Sequence, residues 1–355
     1  MPRSTTSTLS NTIKSFYDRV LVEALDPILK YYQFGDKRPL PEGEGTSVVW
    51  NKAVRLSLGV NVTESPVKAS AGNALSTYKV SAVIQSYGGF TEITDLVDLT
   101  SITDVMKLAA ERLGAQAGET IERVIMAENF IHHTTQSIGD SAHHYFKTGS
   151  AVEEIWGSVS GSSAAAPGGS PTSTVSAAAV ITVSDVRAAI FVLKGLNVPA
   201  YSGNDYVSIV NNEVAEDIVG DSTWINFHQY AAPGQKNLYT GEIGKIYGCR
   251  FVETTQGPAV IASNAGGAAS GIAYGTVVMG RGFYGVTELD GGIRTYIAQG
   301  AQKSDPINQN TTYGWKSHFT TKLLNTSAGL VLWTGSNTTT TDEDSGTRID
   351  LPSAY

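Results

Sequence analysis

Apolar side chains recur at helical spacing from Leu9 to Tyr32, through Ile13, Phe16, Tyr17, Val20, Leu21, Ala24, Leu25, Ile28 and Leu29. Pro27 interrupts that run, so the pattern predicts two short helices meeting at a bend. Turn-forming residues from Gly35 to Gly45 close this arm. Thr46 to Leu58 and Thr77 to Thr94 then read as strands, the second broken at Gly88-Gly89. The polar stretch between them has too few large apolar groups to bury itself. If the two strands pair, roughly eleven residues a side at ~3.3 Å each make a hairpin projecting on the order of 35 Å. Such an arm needs a surface elsewhere, which points to a neighbouring chain.

From Thr100 to about His133 the apolar positions Ile102, Val105, Met106, Ala109, Leu113, Ala117, Ile121, Val124 and Ile125 keep helical spacing. Ser101 or Thr103 is the expected N-cap, and Gly114 with Gly118 marks a side open to close packing. A helix of that length is expected to act as a spine. Residues 157–180, rich in Gly, Ser, Ala and Pro, read as a surface loop or linker. Ser184 is expected to cap a helix that Asn197 and Pro199 end. A strand (DYVSIVNN), a short helix (EVAEDIVG) and an aromatic-rich loop around Trp224, Phe227, His228 and Tyr230 follow. Strand-like runs at 244–254, 258–263, 272–280, 291–299, 311–324 and 328–333 fill most of the remainder, and the last twenty residues read as a surface tail.

Composition narrows the class. Only 16% of the 355 residues are charged and 37 are Gly, which excludes a coiled coil and leaves a loop-rich chain of mixed helix and sheet. The formal charge of −8 gives no global positive field for binding nucleic acid through counterion release. A local exception is residues 1–38, with six basic and four acidic groups. A single cysteine, Cys249, cannot close an intrachain disulfide and reads as a small core hydrophobe in a strand. The N-terminus lacks a continuous apolar h-region and no run of about 18 apolar residues occurs, so neither secretion by the general route nor a membrane span is expected.

Catalytic patterns are weak throughout. Gly280-Arg281-Gly282-Phe283-Tyr284-Gly285 satisfies G-x-G-x-x-G, but a strand-like segment follows it and no acidic residue sits about twenty positions on. The doublets His132-His133 and His143-His144 lack H-E-x-x-H or cysteine partners; a polar helix end followed by a loop is the preferred reading over zinc chelation. Carboxylates such as Glu153-Glu154 and Asp342-Glu343-Asp344 read as solvated faces. Neither a catalytic constellation, a metal site nor a cofactor site is predicted.

Several segments, in order, nevertheless resemble one family. They are Thr8-Leu9-Ser10 with Tyr17-Asp18-Arg19, Gln33-Phe34-Gly35 with Lys37 to Pro41, Gln85 to Gly88 with Ile93 to Leu96, and Ser184 to Arg187 with Asn197-Val198-Pro199. Gly241 to Ile246 with Gly248 and Arg250 to Thr254 is the strongest run, and Asp305-Pro306 with Gly314-Trp315-Lys316 the last. Together they resemble the major capsid proteins of tailed bacteriophages, in particular the coat protein of the N4-like phages. INQNTTYGWK after Pro306 departs from the family's Gly- and Arg-containing turn, and the tail beyond Trp333 is longer than usual.

The resemblance implies the α+β coat-protein fold: residues 1–45 an N-terminal arm, 46–94 an extended loop with adjoining strands, 95–183 and 291–333 a peripheral domain on the spine helix, 184–290 an axial domain with a mixed sheet, and 334–355 a surface tail. It implies assembly rather than enzymatic activity, with copies forming pentamers and hexamers of an icosahedral head shell. The implied partners are the chain itself, a portal protein, scaffold and decoration proteins, and packaged DNA held weakly and non-specifically, without membrane. The implied location is the virion, after assembly in the host cytoplasm. Arg55, Glu64 and Lys68 are expected as loop charges meeting a neighbour, and Trp224, Phe227 and Tyr230 near the capsomer axis. Alternative readings are an encapsulin-type compartment shell, which shares the fold, and a hydrolase with an unrecognised site.

Overall fold

The computed structural model describes residues 20–21, 24, 29–41, 43–53, 56, 74–102, 104–130, 143–148, 151–155, 180–230, 242–262, 271–298 and 309–336. Val20, Leu21 and Ala24 are helical, as the N-terminal periodicity predicts. The rest of the bent helix pair, the 157–179 linker and the tail from 337 lie outside the described residues.

A four-residue helix α1 (Tyr31–Phe34) leads into a short strand β1 (Asp36–Lys37). β2 (Ser47–Ala53) and β3 (Thr77–Val83) pair antiparallel over seven residues, Ser47 opposite Val83 and Ala53 opposite Thr77, as the predicted hairpin requires. The chain then breaks at Ile84, not at Gly88-Gly89. β4 (Gln85–Thr94) leaves the hairpin, and both glycines lie inside it opposite Lys316 and Trp315.

A short helix α2 (Asp95–Thr100) precedes the spine α3 (Val105–Phe130), whose 26 residues at ~1.5 Å each run about 39 Å. Its cap is Asp104 rather than Ser101, the Asp104 carboxylate accepting the Lys107 N–H at 3.0 Å, while Thr103 lies outside the described residues. Gly114 permits the close approach its spacing suggested, since a Cβ there would lie 2.5 Å from the Leu21 carbonyl oxygen.

β5 (His143–Thr148) and β6 (Ala151–Ile155) form a hairpin, so His143-His144 opens a strand instead of lying in a loop after a helix. The helix α4 (Val183–Gly195) starts at Thr182 rather than Ser184. The Asp185 carboxylate accepts the Thr182 N–H at 2.8 Å and its hydroxyl at 2.7 Å. Asn197, at φ 54°, turns the chain out of it.

β7 (Tyr206–Asn211), buried at every position, is followed by α5 (Asn212–Gly220). Trp224 and its aromatic neighbours lie on a second helix, α6 (Ser222–Tyr230), and not in a loop. The single strand expected over 244–254 is a hairpin of β8 (Glu242–Ile246) and β9 (Cys249–Thr254). Tyr247 and Gly248 both have positive φ, 50° and 78°, which is the two-residue turn that matches strand twist. β10 (Ala259–Ala262), β11 (Gly271–Met279), β12 (Tyr284–Ala298), β13 (Asn310–Leu323) and β14 (Gly329–Thr334) follow, with β12 starting seven residues before the predicted 291 and carrying an irregularity between Glu288 and Ile293. Gly280 to Phe283 of the G-x-G-x-x-G segment form the turn from β11, and Tyr284-Gly285 opens β12 rather than a helix.

Two sheets organise the chain. A four-stranded sheet runs β1-β12-β13-β4, and an eight-stranded mixed sheet runs β6-β5-β14-β11-β7-β9-β8 with β10 on β11. Hydrogen bonding therefore puts 143–155 and 329–334 with the strands of 206–279, and 284–290 with β13. α3 lies across the four-stranded sheet, burying Met106, Ala110, Leu113 and Ala117 against Ile93, Tyr313 and Trp315. Its last residue, Phe130, reaches the second core: its ring stacks on Phe283 at 5.8 Å and meets Tyr31 and Tyr284 at 5.3 Å each.

Candidate assembly surface

The β2–β3 hairpin is fixed at its root. Val48, Trp50 and Ala82 are buried with Leu324, the Tyr78 hydroxyl donates to the Leu324 carbonyl at 3.2 Å, and Arg38 donates to the Val49 carbonyl at 2.7 Å. Lys52 and Asp36 add an exposed ion pair at 3.9 Å. Away from the root the picture inverts: Leu56 and Leu75 are exposed. Arg55, Glu64 and Lys68 lie outside the described residues.

The second predicted cluster is partly internal. Trp224 is 5% exposed, its ring edge-on to Phe251 at 5.3 Å and 82°, so it packs within its own chain. Phe227 and Tyr230 follow on α6, with their side chains outside what is described. Beside this region a charged network ties the β8–β9 hairpin to the turn before β7. The Asp205 carboxylate accepts from Lys245 at 2.7 Å and from Arg250 at 3.2 Å, while Arg250 reaches Glu242 at 3.3 Å.

One buried carboxylate escaped the sequence reading. Glu122, on the spine, has no exposed surface. It accepts the N–H groups of Tyr31 and Tyr32 at 2.8 and 3.0 Å, which fastens the start of α1 to the helix. Burial raises its pKa to about 7 against the lowering effect of those N–H groups and of Lys30. The Tyr284 hydroxyl donates to the Tyr31 carbonyl beside it. Gly118 and Met126, four residues to either side and both buried, are the signal that position 122 lies on a buried stripe. Burial likewise pushes the Cys249 thiol up, away from the reactive thiolate. Among the described residues no group of three or more His, Cys, Asp or Glu is placed to hold a metal, and no helix is long and apolar enough to cross a membrane.

What the described surface offers instead is exposed apolar area. Phe90, Leu96, Val97, Leu99, Ile102 and Leu108 all face solvent around α2. Scattered single apolar residues are ordinary on a monomer; a concentration of this kind suits contact with another molecule.

No protein-family model matches the sequence, and no curated protein matches it. Solved structures do. The capsid of Ralstonia phage GP4 aligns at a TM-score of 0.63 and 14% identity, over 87% of this chain and 92% of that one. The cyanophage Pam1 capsid aligns at 0.60 and 15%, over 89% and 93%. The acid-stable capsid of Helicobacter pylori bacteriophage KHP30 aligns at 0.59 and 11%, over 86% and 91%. At low sequence identity the likeness still covers most of each chain: this chain has the fold of tailed-phage capsid proteins.

Proposed function

We propose that this chain is a major capsid protein that self-assembles, through pentamers and hexamers, into the icosahedral head shell of a tailed bacteriophage. The single observation that carries the proposal is fold likeness running the length of both chains, 89% of this one and 93% of the Pam1 capsid chain. A fragment match would fit many functions; an end-to-end match with capsid chains fits a shell subunit. We assign it to the N4-like branch on the segments named above. The role is structural rather than enzymatic, and its place is the virion.

On this reading residues 1–45 are the arm and 46–94 the extended loop with its adjoining strands. The four-stranded sheet with α3 corresponds to the peripheral domain, the eight-stranded sheet to the axial domain, and 334–355 to a surface tail. Arg55, Glu64 and Lys68 meet a neighbouring subunit, and α6, carrying Trp224, Phe227 and Tyr230, lies near the capsomer axis. Contacts spread over several neighbours exceed the ~2,000 Å² of obligate interfaces even where each is weak. Portal, scaffold and decoration proteins are the further partners, and DNA is held weakly, in keeping with the net charge of −8.

Electron microscopy and light scattering of the overexpressed full chain test this. Closed shells, tubes or capsomer rings far above 37.6 kDa are expected. A monodisperse monomer, with a co-expressed scaffold as well as without one, refutes it. Within that framework, reversing Glu64 and Lys68 together impairs shell formation and leaves secondary structure intact; a normal particle yield removes those two residues from the interface.

A further inference from the structure

α2 is an unusual helix. A six-residue helix lying on a protein surface normally turns its apolar side inward, yet Leu96 is 67% and Leu99 81% exposed, with Val97 also facing solvent. Ile102, in the link to the spine, is fully exposed, and Phe90 on β4 is 70% exposed. Phe90, Val97 and Leu108 line a groove of about 700 Å³ between β4 and the first turns of α3, floored by Ile93, Val105 and Leu113. The six exposed side chains present on the order of 600–700 Å² of apolar surface, above the largest patch of a typical monomer and near the ~800 Å² that one partner contributes to a stable interface.

We infer that the α2 surface, Leu96 to Ile102 with the adjoining groove, is a self-association surface occupied by a second copy of this chain. The inference rests on the capsid reading and adds a contact that neither the hairpin nor α6 provides. The charges select the occupant. Glu92 and Arg112 both line the groove, and Asp95, Asp104, Lys107 and Glu111 stand exposed around it. Lys107 pairs with Glu111 at 4.0 Å, and the carboxylates outnumber the two basic groups, so a polyanion or an anionic lipid surface would be repelled. A copy of the same chain brings apolar area of matching size and charges of both signs. Burying leucine and isoleucine side chains at ~25 cal/mol per Å² is the kind of contribution repeated in every subunit of a shell.

The test is the double substitution Leu99→Glu/Ile102→Glu in the full chain, compared with wild type by electron microscopy and analytical ultracentrifugation. Wild type forming shells while the variant stays in small species, with unchanged circular dichroism and thermal midpoint, is the expected result. Wild-type-like shells from the variant overturn the inference while leaving the capsid reading intact; wild type that never assembles sinks the capsid reading first and this inference with it. Should the double variant fail to fold, Ile102→Cys supplies the second measurement, because the chain's own Cys249 is buried. The thiol at 102 is expected to react with maleimide at least tenfold more slowly in shells than in dissociated subunits. Equal rates refute the contact.

Discussion

Replacing Glu122 by Gln isolates the energetic consequence of burying a carboxylate beneath the N-terminal segment. The group is fully buried, and burial lifts its pKa from 4.5 to about 7 despite the N–H groups of Tyr31 and Tyr32 and the charge of Lys30. Tyr31 and Tyr284 face it as neutral phenols whose own pKa values burial and Glu122 push well up. At ~1.4 kcal/mol for each pH unit, the ionised form costs the native state about 3 kcal/mol. The sign follows from which state holds the proton. Below 4.5 the carboxyl is neutral folded and unfolded, and the penalty is absent. As pH rises from 4.5 to about 7 the unfolded chain ionises first, so stability falls; above about 7 both states are ionised and the full penalty remains. Urea unfolding of unassembled wild type and Glu122→Gln between pH 4.5 and 8, taken as a difference so that all other carboxylates cancel, should show wild type losing about 3 kcal/mol relative to the variant and then levelling off. Parallel profiles for the two proteins would refute the reasoning, since they would mean that water reaches the carboxylate in the native state.

Three further outcomes follow from the packing. Gly114→Val places its side chain against the Leu21 carbonyl and Ala24, and overpacking of this kind costs about 1–3 kcal/mol; an unchanged thermal midpoint would show that the N-terminal helical segment does not press on the spine. Asp205→Asn removes the negative charge shared by Lys245 and Arg250, and urea unfolding should register a loss of about 2 kcal/mol, less than the ~3–5 of a fully buried pair because Lys245 keeps contact with water. Gly248→Ala, at φ 78°, should cost about 1 kcal/mol by forcing a Cβ into the left-handed region, and hydrogen exchange should show the loss in β8 and β9; a variant as stable as wild type contradicts the turn.

Local periodicity carried the long elements. The stripe from Val105 to Ile125 made the spine legible because one face of a helix buried on a sheet must repeat every three to four residues. The strand-like runs 46–58 and 77–94 did the same for the hairpin, at whose root Val48, Trp50 and Ala82 turn inward. Boundaries failed where several residues could do one job. Ser101 and Asp104 are both able caps, and only the approach of the Lys107 N–H decides between them. STWINFHQY contains few strong helix formers, so its local preference for a helix is weak; burying Trp224 on Phe251 offsets that weakness in α6. Sheet membership was illegible for a different reason. β5 pairs with β14, almost two hundred residues later, and no local pattern encodes a partner so distant.

The same contrast separates fold from function. A side chain buried within one chain leaves a periodic trace, as Leu113 does on the spine. A side chain reserved for a neighbour leaves the opposite trace, an apolar residue where the pattern calls for a polar one. Leu96 and Leu99, on a short helix whose exposed side should be polar if the chain worked alone, and Ile102 in the link after it have that character. On the capsid role proposed above, departures from amphipathicity are therefore the residues that carry function. Polar substitution separates the two classes. Within the spine, as at Leu113, it should unfold the subunit before assembly can be scored, whereas at α2 it should leave a folded subunit and remove only the shell.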